Sequence, residues 1–175
     1  MYFAKILGFF SIFCLSWGNA YCGEGESKEA APSYFQLMKP LVGQSFEGVF
    51  PDGKLTDEQR YEWVYGDKFI RNVHFVRTQA GEVVYQGETI FAFDREKGRP
   101  VFWYWNVTGG YLTGWAEERQ GRLVWHAENH ADPGQVKETR SVVWDISENG
   151  YKATQLFLKD GRWEEQWTME YRLKQ

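Results

Sequence analysis

The chain holds 175 residues with a formal charge of −4, of which 25% are charged and 18% aromatic. That length suits one domain of the usual ~100–200 residues. The acidic balance and the lack of any basic run argue against nucleic acid, or an anionic membrane surface, as the main partner.

Met1-Tyr2-Phe3-Ala4-Lys5 opens the chain, an apolar run follows from Ile6 to Trp17, and Gly18-Asn19-Ala20 closes it. A short basic start, an apolar stretch too brief to span a bilayer and a small-x-small exit predict a secretory signal peptide over 1–20, cleaved after Ala20. A transmembrane helix needs roughly 20 apolar residues, and no stretch provides them. The protein is therefore expected in the periplasm or the medium. Cys22 follows the cleavage point, but Tyr21 occupies the place where a lipid-bearing cysteine needs a small neighbour, so a free thiol is expected. Cys14 leaves with the signal, so no internal disulfide can form.

Residues 21–32, including Gly23-Glu24-Gly25-Glu26, are polar and without apolar periodicity, and predict a flexible leader before a single domain over 33–175. Tyr34, Leu37, Met38 and Leu41 then fall at helical spacing behind Ser33 as N-cap, which predicts one short helix ending near Pro40 and Gly43. Alone it is too short to persist, so its apolar face must lean on the rest.

From Gln44 onward the pattern changes to short segments rich in Val, Ile, Tyr, Phe, Trp and Thr, broken by turn residues. Ten strands are predicted: Gln44–Phe50, Asp57–Tyr65, Lys68–Thr78, Glu82–Asp94, Arg99–Val107, Gly110–Glu118, Arg122–His130, Gln135–Ile146, Tyr151–Lys159 and Arg162–Leu173. Asn149-Gly150 and Asp160-Gly161 are the strongest hairpin signals, because both accept the positive φ of a type I′ turn. Asp132-Pro133-Gly134 predicts another turn. Short loops force antiparallel neighbours in chain order. Closure then removes two long exposed edges. The expectation is an all-β, up-and-down antiparallel barrel of about ten strands with one short N-terminal helix.

This layout resembles the calycins, the lipocalins and fatty-acid-binding proteins. The segments Phe50-Pro51-Asp52-Gly53-Lys54, Arg60-Tyr61-Glu62-Trp63-Val64 and Lys68-Phe69-Ile70-Arg71-Asn72 are similar to small exported calycin-like bacterial domains of unknown function. The resemblance implies the fold and the bacterial envelope, and no activity. Leu41-Val42-Gly43-Gln44-Ser45-Phe46 stands where lipocalins carry Gly-x-Trp, and Tyr171-Arg172 lacks the Arg-x-Tyr spacing of a fatty-acid clamp.

Three groups of side chains could carry chemistry. His126, Glu128 and His130 alternate, so one strand face would present two imidazoles and a carboxylate, a metal-ligand set that His74 could join. Glu62, Arg71, Glu88, Glu138 and Arg140 sit mid-strand, and would have to be paired if they face inward. Trp63, Trp103, Trp105 and Trp115 head a large aromatic set suited to core, cavity wall or interface. Val101-Phe102-Trp103-Tyr104-Trp105 is apolar on both faces, so its outer face needs a cover from the helix or a second subunit, or stays bare.

A barrel of this size has more interior than small side chains fill. The leading expectation is a small, mostly apolar ligand inside, met by Trp63, Arg71, His74, Glu88, Trp103, Trp105, Trp115, His126, Glu128 and Arg140. The first alternative is a solidly packed barrel that associates with a partner or as a homodimer. The second is a metal or haem site, or an enzyme, built on His126 and Glu128. No cofactor is otherwise expected. No Gly-x-Ser-x-Gly elbow, phosphate loop, dinucleotide fingerprint or zinc-type cysteine pair is present.

Overall fold

The structure, a computed structural model, describes residues 33–132 and 135–175. The expected signal peptide and leader, Cys22 and the centre of the expected Asp132-Pro133-Gly134 turn lie outside the described residues. Helix α1 (Ser33–Met38) runs into a 3-10 turn (Lys39–Leu41). Ten strands follow: β1 (Ser45–Val49), β2 (Leu55–Val64), β3 (Phe69–Thr78), β4 (Val83–Asp94) and β5 (Arg99–Asn106) form the first half. β6 (Tyr111–Arg119), β7 (Arg122–Asp132), β8 (Gln135–Ser147), β9 (Gly150–Lys159) and β10 (Arg162–Leu173) complete it. Each strand pairs antiparallel with its neighbours in sequence, and β1 closes the ring on β10 through Phe46–Leu173 and Gly48–Tyr171. The expected closed barrel is the observed one.

Turn chemistry explains much of the connectivity. At Gln120-Gly121 and Asp160-Gly161 both residues adopt positive φ, the geometry that matches the right-handed twist of the strands they join. The hairpin at Asn149-Gly150 forms differently. Its turn residues are Glu148 and Asn149, Asn149 is not at positive φ, and a bulge in β8 carries Asp145 at φ 54° instead. The Asn106-Val107-Thr108 segment is also a turn device: Asn106 Oδ1 accepts hydrogen bonds from the backbone N–H groups of Thr108 and Gly110.

The helix buries Phe35, Met38 and Leu41, each at most 3% exposed. Met38 and Leu41 belong to the expected stripe, Leu37 of the same stripe packs against the core, and Phe35 joins them. Phe35 meets Trp63 edge-on at 5.4 Å, so α1 stoppers the barrel end where β2 turns into β3. Burying side chains of this size contributes about 1.5–3 kcal/mol each.

The strand faces separate cleanly once register is known. On β3, Ile70, Asn72, His74 and Val76 point inward. Phe75 lies outside between the guanidinium groups of Arg60 and Arg77, at 5.5 and 5.4 Å. The face of β3 with Asn72 and His74 is thus the inner one, and the face with Arg71 and Arg77 the outer, where arginines can cover a ring and keep their charge in water. A bulge between Glu165 and Trp167 flips parity within β10. Trp163 therefore faces out and Trp167 faces in, although their spacing alone would place them together.

Candidate functional site: the barrel interior

The barrel encloses a cavity of about 550 Å³. Its floor, next to α1, is made of rings and aliphatic groups. Phe91, Phe102 and Trp125 pack with centroids 4.9–6.3 Å apart. Phe46, Tyr61 and Tyr151 form a second edge-to-face group. At the other end the exposed Gln166 lines the cavity beside Trp167, so the space meets solvent there.

One wall, built by β2 to β5, carries a connected polar cluster centred on Asp57, which is 4% exposed. Its Oδ2 accepts hydrogen bonds from Tyr171 Oη at 2.8 Å and from Gln59 Nε2 at 2.5 Å. Its Oδ1 lies 3.0 Å from His74 Nδ1. A carboxylate only accepts, so the Nδ1 hydrogen points at Asp57, and Nε2 stands 3.0 Å from Tyr104 Oη, as acceptor when the ring is neutral. Tyr104 Oη in turn sits 2.7 Å from Tyr85 Oη. Both ring nitrogens of His74 are thus held by protein partners.

Two glycines make this wiring possible. Gly48 of β1 lies in register between Tyr171 of β10 and Asp57 of β2. The Tyr171 ring crosses it so closely that a Cβ there would stand 3.0 Å from Cδ1. Gly87 of β4 is the register partner of His74, and a Cβ there would overlap the ring and hydroxyl of Tyr104. In each case a tyrosine lies across a bare backbone to reach a polar group beyond it. Glycine within a strand often marks such a close approach.

The cavity is electrically one-sided. Among the described residues no lysine or arginine lines it, and Asp57 is its one carboxylate. Burial pushes the hydroxyls of Tyr104 and Tyr171 well above the usual tyrosine range, helped by Tyr85 and by the Asp57 charge respectively. Burial does the same for Tyr61 and Tyr151, whose hydroxyls lie 3.0 Å apart. These phenols keep their protons and act as neutral hydrogen-bonding groups.

Of the ten residues singled out as ligand-binding candidates, His74 alone lines this cavity. Trp63 has inward parity but packs against Phe35 of the helix. Arg71 lies outside, between Glu62 at 2.9 Å and Glu88 at 2.7 Å. Trp103 and Trp105 point outward and are 41% and 49% exposed, with no cover from α1. Trp115, His126, Glu128 and Arg140 are brought together, but on the outer face of β6 to β8. There Trp115 stacks on His126 at 4.2 Å, and Arg140 Nε donates to His126 Nδ1 at 3.2 Å while its guanidinium covers Trp163 at 3.9 Å. His126 Nε2 donates to Glu117 at 2.9 Å, which with Arg119 holds the Glu117 carboxyl below its ordinary range. His130 stacks on Tyr111 at 4.5 Å and stands 3.7 Å from Glu128. Among the described residues no group of three His, Cys, Asp or Glu side chains is arranged to hold a metal ion.

Fold and site together define a closed ten-stranded antiparallel β-barrel with an accessible, ring-lined interior. No protein-family model matches the chain, and no curated protein does. Among solved structures the chain is similar to Rv2717c from M. tuberculosis, with a TM-score of 0.53 and 10% identity over 82% of this chain and 98% of that one. At that identity the likeness concerns the fold. No described helix is long and apolar enough to cross a membrane.

Proposed function

We propose that this chain is an exported, calycin-like barrel that holds a small, mostly apolar molecule in its interior, with the molecule's polar group at the Asp57–His74–Tyr104–Tyr85 wall. The carrying observation is the cavity of about 550 Å³, apolar at its floor and polar at one wall. Ligand sites commonly occupy ~300–1,000 Å³ and combine an apolar lining with a few convergent polar groups. The rings supply apolar contact area, and the fixed polar wall supplies orientation. His74 serves as the hinge of that wall, since both its nitrogens are occupied by Asp57 and Tyr104.

Fluorescence titration with N-phenyl-1-naphthylamine tests the reading, because this dye brightens on entering an apolar site. Wild-type protein binds it, and Leu112→Trp, which fills the cavity, weakens binding by about tenfold or more. Equal binding by wild type and the filled variant would refute the interior site. Export rests on residues 1–20, and N-terminal sequencing of the secreted form is expected to begin at Tyr21.

A further inference from the structure

The charge of the cavity wall says which molecules it takes. We propose that the interior selects a largely apolar molecule that donates an N–H or O–H hydrogen bond and carries no negative charge, and that it rejects carboxylates and sulfonates. This deepens the reading of the interior as a ligand site and rests on it.

Three observations carry the inference. First, among the described residues no lysine or arginine side chain lines the cavity. The arginines that sequence spacing suggested, Arg71 and Arg140, are spent outside on Glu62 and Glu88, and on His126 and Trp163. An anion drawn into this space would lose its water without meeting a cation, which costs several kcal/mol in a protein interior.

Second, the one acidic side chain that lines the wall is a carboxylate. Asp57 is fixed by Tyr171, Gln59 and His74, three donors against roughly four acceptor positions on a carboxylate. An acceptor position therefore remains on a buried negative group, and it attracts a donor and repels a second anion. His74 gives an anion no ready donor, because its Nδ1 hydrogen is committed to Asp57 and its Nε2 to Tyr104.

Third, the hydrogen-bond chain runs toward the cavity as an acceptor. In the neutral state of His74 its Nε2 accepts from Tyr104, the Tyr104 oxygen then accepts from Tyr85, and the Tyr85 hydroxyl presents lone pairs. Tyr85 and Asp57 both line the cavity. The Asp57–Tyr85 side of the wall thus offers acceptors. The neutral hydroxyls and amide of Thr139, Ser141 and Gln155 line the cavity as well, and the apolar floor takes the rings of the molecule.

Two dyes built on one skeleton separate the cases. N-phenyl-1-naphthylamine is neutral and keeps an N–H donor, and 8-anilinonaphthalene-1-sulfonate adds a negative charge to the same rings. Wild-type protein is expected to bind the neutral dye at least about tenfold more tightly, as the missing cation dictates. Gln155→Lys, which places one ammonium in the cavity wall, is expected to close most of that gap. Leu112→Trp, or Val143→Trp should the first not fold, marks which signal comes from the interior. Sulfonate binding that equals or exceeds that of the neutral dye, and that disappears in the filled variant, would overturn the selectivity and leave the interior site standing. Binding of neither dye, or binding unchanged by filling the cavity, would overturn both.

Discussion

The ring of Tyr104 lies across Gly87, where a side chain would otherwise stand, and this places its hydroxyl 3.0 Å from His74 Nε2. The glycine is therefore part of the site although it contributes no side chain to it. Gly87→Ala is expected to push the Tyr104 ring aside, at the ~1–3 kcal/mol typical of overpacking. The dye titration should show about tenfold weaker binding of N-phenyl-1-naphthylamine, with the circular dichroism spectrum of the barrel retained.

The same logic applies across the closing seam. Tyr171→Phe keeps the stack on Tyr151, whose ring lies 4.6 Å away, and removes the hydrogen bond to Asp57. A buried acceptor then loses one of its donors, and urea denaturation is expected to show a loss of about 1–3 kcal/mol.

Acid should weaken the seam through Glu58, whose side chain is 3% exposed. Burial raises the pKa of this carboxyl, but hydrogen bonds from Lys174 at 2.8 Å and Arg60 at 2.7 Å outweigh it and hold it below its ordinary 4.5. A lowered folded pKa means that the unfolded chain binds the proton first. The stabilisation is present above pH 4.5 and is lost as pH falls through the folded value. Glu58→Gln is expected to flatten the acid limb of a melting-temperature profile while lowering stability at neutral pH by about 2 kcal/mol.

Alkali acts in the opposite sense. Tyr61, Tyr104, Tyr151 and Tyr171 all have pKa values raised above the ordinary 10, chiefly by burial. The unfolded chain releases these protons first, so stability is full below pH 10 and declines as pH rises beyond it. Absorbance at 295 nm is expected to show these phenols ionising together with unfolding rather than in a separate earlier step.

Much of this architecture is legible in the sequence. Turn residues, short loops and β-rich segments lead to ten strands, and closure follows from the edges that an open meander would expose. The inner face is harder to read, because β3 pairs Phe69, Val73 and Phe75 with two arginines on one side, and Ile70 and Val76 with Asn72 and His74 on the other. Which polar set goes inside depends on what covers it, and that is set by neighbouring strands. Asp57 reads as the first residue of the second strand, yet β2 begins earlier, at Leu55, and carries it into the barrel. Bulges near Asp145 and Gln166 shift parity in ways that alternation does not reveal. The usable signal was glycine within strands, at Gly48 and Gly87, where a crossing ring needs room.

The most direct measurement is a crystal structure of the barrel grown with N-phenyl-1-naphthylamine. Density for the dye inside the cavity, with its N–H toward Asp57 or Tyr85, is the result this account predicts. Density only on the outer face, beside Trp115 and Trp163, with the interior filled by side chains, would contradict it.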